Sequence, residues 1–178
     1  MINGEGFGYS TTTFGEIVFN TGMVGYTEAL TDPSYNGQLL TLTYPLVGNY
    51  GVPDPSIKDE DGISKYFESS KIQIRGLVVH ELSLTASHWN LSMTLDEWLY
   101  NEKIPGISGI DTRALTMKLR NSGVMMAALV VSDSEINDCI INTSDNHFSR
   151  FNKYDLIARK VNSVDEYLNK ISQVGVNL

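Results

Sequence analysis

Cysteine is almost missing from this chain: Cys139 is the only one in 178 residues, so no disulfide can form within it. A reducing compartment is therefore the default expectation. Positive charge is also scarce, since 13 lysines and arginines stand against 21 aspartates and glutamates, for a formal net charge of −8. Because nucleic-acid affinity comes from clustered positive charge, this balance argues against nucleic acid as a main partner.

Long hydrophobic runs are missing as well. The longest mostly apolar stretch, residues 124–131, is far shorter than the roughly 20 residues that a membrane helix needs. Residues 1–10 lack the basic and apolar regions of a signal peptide. We therefore expect a soluble, cytoplasmic protein with no membrane partner. Hydrophobic residues make up 42% of the chain, which is an ordinary globular value and enough to build a core.

Candidate catalytic and metal-binding groups are sparse. No glycine-flanked elbow surrounds Cys139, so we interpret it as a packed residue near a helix end. The three histidines, His80, His88 and His147, show no metal-ligand spacing. His88 is interpreted as a structural partner of Trp89, and His147 as a solvated loop residue. The sequence thus predicts no catalytic residue and no metal site in this chain.

Two further runs resemble functional motifs only superficially. The glycine-rich run 4–8 has no lysine and no preceding strand, so we do not expect it to hold a phosphate. The acidic run 59–61 lies in a stretch, 52–65, that is rich in acids and contains two prolines. We predict that this stretch is an exposed loop and that the acids are solvated.

The pattern of apolar residues predicts a mixed α and β domain. Strand-length runs occupy residues 16–19, 38–44, 72–79 and 124–131, with turns at 31–34 and 48–51. Helices are predicted in the second half, where Thr94 and Glu97 form a capping box, Asp111 caps residues 112–120 and Gly123 ends that helix. A further capping box at 163–166 predicts a last helix, after a loop at 141–153. Strands and helices do not alternate cleanly, which disfavours a doubly wound sheet.

Residues 15–51 have an unusual composition for which ordinary secondary structure gives no full explanation. They contain six glycines and several tyrosines, and Pro33 presets a turn that is followed by Ser34, which we expect to offer a free hydroxyl and a free amide. Considered alone, these residues favour a set of tight hairpins over a shaped binding surface.

A series of motifs nevertheless carries a specific resemblance. They are residues 15–26 (GEIVFNTGMVGY), 31–35 (TDPSY), 42–51, 66–69, 76–79, 87–89, 97–99, 104–106 and 109–116. In this order they resemble the N-terminal domain of the glutaminase (small) subunit of carbamoyl phosphate synthetase, over about residues 7–131. The segments 51–53 and 66–69 are similar to the eukaryotic version fused into large pyrimidine-pathway polypeptides, although a stand-alone subunit or an arginine-pathway enzyme stays open.

The resemblance implies a fold and a role. The fold is α/β, a three-layer β/β/α sandwich known as a swivelling domain, expected over residues 1–140. Residues 141–178 are expected to lead toward a class I glutaminase domain that this chain lacks. That domain carries the family's Cys-His-Glu triad, so we expect no glutaminase activity from this chain alone. The expected partners are the synthetase large subunit or domain, the glutaminase domain and glutamine. ATP and Mg²⁺ are expected in the synthetase part, with no cofactor here.

The resemblance also implies site residues. Ser34 is expected to contact the substrate glutamine. An interface with the partner domains is expected among Phe19, Met23, Tyr26, Tyr35, Tyr44 and Tyr50. In that set we predict that Phe19 belongs to the core, whereas Tyr35 and Tyr50, beside turns, are exposed and form the interface. The alternative is a stand-alone binding or scaffold module that kept the fold without catalysis.

Overall fold

A seven-stranded sheet is the framework of the protein in the computed structural model, which describes residues 2–86, 91–131 and 156–157. The strands are β1 (Glu5–Gly8), β2 (Thr12–Asn20), β3 (Leu39–Leu42), β4 (Leu46–Val47), β5 (Val52–Pro53), β6 (Gly76–Val78), β7 (Glu81–Leu82), β8 (Leu91–Met93), β9 (Pro105–Ser108), β10 (Met126–Val130) and β11 (Leu156–Ile157). The helices are α1 (Tyr26–Thr31), α2 (Leu95–Asn101) and α3 (Thr112–Ser122), with a 3₁₀ turn at Pro33–Tyr35.

The large sheet is mixed, with strand order β1-β9-β6-β3-β2-β10-β11. The central strands β2, β3, β6 and β9 run parallel, so their carboxyl ends meet at one edge. Strand β1 is antiparallel to β9, β10 is antiparallel to β2, and β11 is parallel to β10. Two short pairs, β4 with β7 and β5 with β8, lie outside this sheet.

Both faces of the large sheet are buried. Successive strand residues point to opposite faces, so neighbours in one strand pack into different core clusters. Leu39 faces a core cluster that includes Leu115 and Leu119 of α3. Its neighbour Leu40 faces a second cluster, built with α1, α2 and the short pairs through residues such as Leu30, Val47, Val52 and Trp98. Helix α3, the large sheet and the layer of short strands and helices form the predicted three-layer β/β/α sandwich.

The predicted helix caps are confirmed. The Thr94 hydroxyl accepts a hydrogen bond from the Glu97 amide at 3.2 Å, and the Glu97 carboxylate accepts one from the Thr94 amide at 2.8 Å. Asp111 accepts from the Ala114 amide at 2.9 Å at the start of α3. Gly123, at φ 72°, follows the end of that helix. The predicted strand segments 38–44, 72–79 and 124–131 contain β3, β6 and β10, and the segment 16–19 lies within the longer β2.

Several local expectations were wrong. Helix α1 lies in the first half of the chain, where only strands and turns were predicted, and its N-cap Gly25 provides no side-chain hydrogen bond. The stretch 52–65 begins with buried β5 rather than exposed loop, because Val52 packs in the core. Only Gly76–Val78 of the predicted strand 72–79 is in strand conformation. No secondary structure was predicted for the glycine-rich run 4–8, which contains β1, paired with β9.

Some expectations fall outside the described residues. These are the environments of Cys139, His88 and His147, the loop at 141–153 and the helix from Ser163. The domain boundary at residue 140 stays a prediction. Within the described part of the chain, no helix has the length and apolarity to cross a membrane.

Candidate functional site

Ser34 lies in the 3₁₀ turn that connects α1 to β3. Pro33 occupies the first position of the turn, and an Asp32 side-chain oxygen accepts a hydrogen bond from the Ser34 amide at 2.8 Å. Ser34 is exposed. The expectation of a free amide is therefore wrong, because Asp32 occupies that donor. The Ser34 hydroxyl has no hydrogen-bond partner among the described residues, so it is the group that can meet a ligand.

Tyr35 and Tyr50 are half-buried rather than exposed, because both rings pack against the core cluster beneath α1. The Tyr35 hydroxyl accepts a hydrogen bond from the side-chain amide of Asn20 at 3.2 Å. The Tyr50 hydroxyl accepts bonds from the Gly25 and Tyr26 amides at 3.0 and 3.1 Å. Both tyrosines thus hold neighbouring segments in place.

Tyr26 and Tyr50 form a stacked pair, with ring centroids 4.2 Å apart and an interplanar angle of 19°. The Tyr26 hydroxyl donates to the Gly51 carbonyl at 2.5 Å. Burial, reinforced by Tyr50 and Glu28, raises the pKa of Tyr26 far above its usual range. Burial also raises the pKa of Tyr50. Both phenols stay protonated at neutral pH and act as hydrogen-bonding groups rather than as acids.

The exposed apolar side chains of residues 15–51 lie at the carboxyl edge of the parallel strands. Met23 and Val24, in the loop after β2, are 72% and 81% exposed, and Tyr44, after β3, is 40% exposed. Together with Asn20 and Tyr50 they line a shallow groove. We call Met23, Val24 and Tyr44 the carboxyl-edge patch. Val24 was missed by the sequence analysis, although the flanking glycines Gly22 and Gly25 are a signal for a projecting loop.

Phe19 is half-buried and packs against the cluster that contains Ile17, so its assignment to the core is correct only in part. Asn20, at the end of β2, is another residue near the site that the sequence analysis did not predict. Its side-chain oxygen accepts a bond from the Gly22 amide at 2.6 Å. Since its amide nitrogen bonds Tyr35, Asn20 connects the loop after β2 with the turn that carries Ser34.

Other chemistry finds little support in the described residues. Within residues 2–86 and 91–131, no three histidine, cysteine, aspartate or glutamate side chains are grouped to hold a metal ion. The His80 Nδ1 atom lies 2.9 Å from the Ile110 carbonyl oxygen, a structural contact. In the acidic run, the Asp59 carboxylate accepts bonds from the Asp61 and Ile63 amides and organises an exposed turn.

The comparisons with known proteins agree with one another. A family model described as "Carbamoyl-phosphate synthase small chain, CPSase domain" matches residues 1–129. The carbamoyl phosphate synthase small chain of Pyrococcus furiosus is 44% identical over 160 residues, which cover 90% of this chain and 43% of that one. Multifunctional protein URA2 of Saccharomyces cerevisiae is 42% identical over 179 residues, or 99% of this chain and 8% of that protein.

A third relative, multifunctional protein CAD of Squalus acanthias, is 52% identical over 134 residues, or 75% of this chain and 6% of that protein. The chain therefore spans less than half the length of these relatives, which include a separate small chain and large multifunctional proteins. Because the family model covers 129 of the 178 residues, the chain belongs to the carbamoyl-phosphate synthase small-chain family, through the CPSase domain of that family.

Proposed function

We propose that this chain acts as the non-catalytic N-terminal domain of a glutamine-dependent carbamoyl phosphate synthetase. In such an enzyme, glutamine supplies ammonia, which combines with bicarbonate in a reaction that consumes two ATP and yields carbamoyl phosphate. Glutamine hydrolysis belongs to a class I glutaminase domain, and ATP and Mg²⁺ bind in the synthetase part. Membership of the small-chain family and the similarity to multifunctional relatives support this assignment.

The role proposed for this chain is to dock its partners, and the observation that carries it is the carboxyl-edge patch. Met23 and Val24 expose most of their surface to water, although both side chains are apolar. Burying such surface is favourable by about 25 cal/mol per Å², and methionine and tyrosine are enriched at the centres of interfaces. The patch therefore fits a protein partner better than bulk solvent.

The loop after β2, which carries Met23 and Val24, is held in place by hydrogen bonds within this chain. Tyr50 binds the Gly25 amide and Asn20 binds the Gly22 amide, so both ends of the loop are fixed. A preorganised loop loses less conformational entropy on association than a mobile one. This arrangement favours a docking surface over a solvated hairpin.

The second proposed role is a contact to the substrate glutamine from Ser34. The turn directs an exposed hydroxyl outward, because Asp32 already binds the amide of the same residue. A hydroxyl can donate one hydrogen bond to the carboxylate of glutamine. Loss of a hydrogen bond to a charged group costs about 1.5–3 kcal/mol, or roughly 10- to 150-fold in binding.

A matched pair of variants tests this role in the glutamine-dependent holoenzyme. Ser34→Ala is expected to raise the KM for glutamine about tenfold or more, and to leave ammonia-dependent synthesis unchanged. Ser56→Ala is the control, because Ser56 follows Asp54 and Pro55 in the same sequence pattern and its amide also binds the preceding aspartate at 2.8 Å. An unchanged KM for glutamine in Ser34→Ala contradicts the assignment.

A further inference from the structure

A cavity of about 460 Å³ lies between the segment 54–71 and helix α2. Its apolar lining comes from Val52, Ile63, Phe67, Met93 and Trp98. This size lies within the range of about 300–1,000 Å³ that is typical of small-molecule sites. The cavity shares no lining residue with the groove beside the carboxyl-edge patch, and Ser34 is not among its residues.

The floor of the cavity is aromatic and belongs to the core. Trp98 and Val52 are buried members of the core cluster, and Phe67 and Met93 pack against it. The rings of Phe67 and Trp98 meet edge to face, with centroids 5.5 Å apart. Because the core holds these side chains in place, the floor exists before any ligand binds. Aromatic rings and a methionine sulfur offer favourable contacts to a planar aromatic molecule.

The opposite wall contains an exposed apolar side chain, Ile63, and an unpaired buried hydroxyl, that of Ser64. Ile63 is 63% exposed although its side chain is apolar. The Ser64 hydroxyl oxygen is buried and has no hydrogen-bond partner among the described residues. A buried polar atom without a partner loses its hydration and gains nothing in return. A ligand that covers Ile63 and bonds the Ser64 hydroxyl would supply both missing contacts.

The backbone holds Ile63 and Ser64 at this wall. The Asp59 amide donates to the Ile63 carbonyl at 2.8 Å, and the Asp59 carboxylate accepts from the Ile63 amide at 2.9 Å. The Lys65 amide donates to the Ile57 carbonyl at 3.2 Å. These bonds close the hairpin on both sides of Ser64 and hold its backbone at the wall.

The charged residues around the cavity balance one another. Two lysines and two glutamates contribute to the lining, namely Lys58, Lys71, Glu68 and Glu102. A rim with equal numbers of both signs gives no net preference for an anion or a cation. We infer that this cavity binds a planar, uncharged heteroaromatic molecule, which packs on Phe67 and Trp98 and accepts a hydrogen bond from the Ser64 hydroxyl through a ring nitrogen.

Two probes of the same shape test this inference on the full chain near neutral pH. Quinoline has a ring nitrogen that can accept a hydrogen bond, whereas naphthalene has none. The signal is the indole N–H resonance of Trp98, assigned with the help of a Trp89→Phe variant. Quinoline is expected to shift this resonance saturably, and naphthalene to bind about two- to tenfold more weakly, the usual effect of one neutral hydrogen bond.

Variants at the wall separate the contributions of the Ser64 hydroxyl and the Ile63 side chain to probe binding. Ser64→Ala is expected to bring the affinity for quinoline down to that for naphthalene. Ile63→Ser is expected to weaken both probes, whereas Val124→Ser, a control at another exposed apolar residue outside the cavity, leaves both unchanged. The inference is overturned if quinoline gives no saturable shift, if both probes bind the unmodified chain equally, or if quinoline keeps its advantage in Ser64→Ala.

Discussion

The side-chain amide of Asn20 and the hydroxyl of Tyr35 are hydrogen-bonded at 3.2 Å, and this bond connects the end of β2 with the turn that carries Ser34. The other end of the same amide accepts a bond from Gly22 at 2.6 Å, in the loop of the carboxyl-edge patch. One side chain therefore positions both the proposed docking loop and the proposed glutamine contact.

Removing the Tyr35 hydroxyl tests this connection. In the holoenzyme, Tyr35→Phe is expected to raise the KM for glutamine about two- to tenfold through misplacement of Ser34, the usual effect of one lost hydrogen bond. Ammonia-dependent turnover is expected to stay unchanged. Asn20→Ala should have the larger effect because it loses both bonds, and Asn20→Asp should retain most function, since the tyrosine can donate to a carboxylate. Tyr100→Phe, at an exposed tyrosine, is the control. Equal KM values in all four variants would disprove the connection.

The carboxyl-edge patch predicts a loss of affinity without a loss of stability. Met23→Ser combined with Val24→Ser is expected to weaken binding to the synthetase partner at least fivefold, since the few residues that cost more than about 1 kcal/mol when truncated cluster near the centre of an interface. Isothermal titration calorimetry measures the affinity, and urea unfolding checks that the stability is unchanged. Leu84→Ser is the control, because Leu84 is equally exposed but lies outside the patch. Similar weakening in both variants would argue against a specific docking role for the patch.

Two buried threonines predict stability changes of opposite sign. The Thr41 hydroxyl is fully buried in β3 and has no hydrogen-bond partner in the described part of the chain. Thr41→Val should therefore raise the free energy of unfolding by about 1 kcal/mol, because it removes an unpaired polar atom at nearly constant volume.

The matched variant is Thr31→Val. The Thr31 hydroxyl donates to the Thr27 carbonyl at 2.8 Å and accepts from the Glu68 amide at 2.9 Å. Removing it takes this hydrogen-bond partner from the Glu68 amide and should lower the free energy of unfolding by about 1–3 kcal/mol. Urea unfolding of the two variants and the parent chain measures both changes. A loss of stability in Thr41→Val would show that its hydroxyl has a partner in solution.

The Tyr26–Tyr50 pair predicts alkaline sensitivity. The folded-state pKa of each phenol is raised, so the native state keeps protons that the unfolded chain loses above pH about 10. The contribution of these two phenols to the free energy of unfolding is complete below pH about 10, and it is lost as pH rises from there toward the folded-state pKa. For Tyr26, the limiting slope is about 1.4 kcal/mol per pH unit.

Unfolding by urea at a series of pH values from neutral to strongly alkaline measures this slope. Tyr26→Phe should flatten the fall in stability above pH about 10, although the variant is less stable at neutral pH because it loses the bond to the Gly51 carbonyl. Tyr44→Phe, at an exposed tyrosine, is the control for removing a phenol outside the stacked pair. An equal slope in Tyr26→Phe and the parent chain would contradict the raised pKa.

The sequence by itself determined the features that depend on near neighbours or on a long series of motifs. The caps at Thr94 and Asp111 could be predicted because each side chain reaches an amide three residues along the chain. The β/β/α architecture followed from the collinear resemblance, whereas apolar periodicity alone indicated only a mixed α and β domain. The turn at Ser34 was predictable for the same local reason, since Pro33 restricts its own backbone.

Only the tertiary structure decided what depends on contacts between distant residues. Helix α1 was missed because the group that binds its first amide is the Tyr50 hydroxyl, 24 residues further along the chain. The packing of side chains beneath α1 likewise decides that Tyr35 and Tyr50 are half-buried and that Met23 and Val24 are exposed. The cavity at Ser64 needs the hairpin 54–71 to fold against Trp98. Such contacts form only when the layers pack, so no local pattern of residue types encodes them.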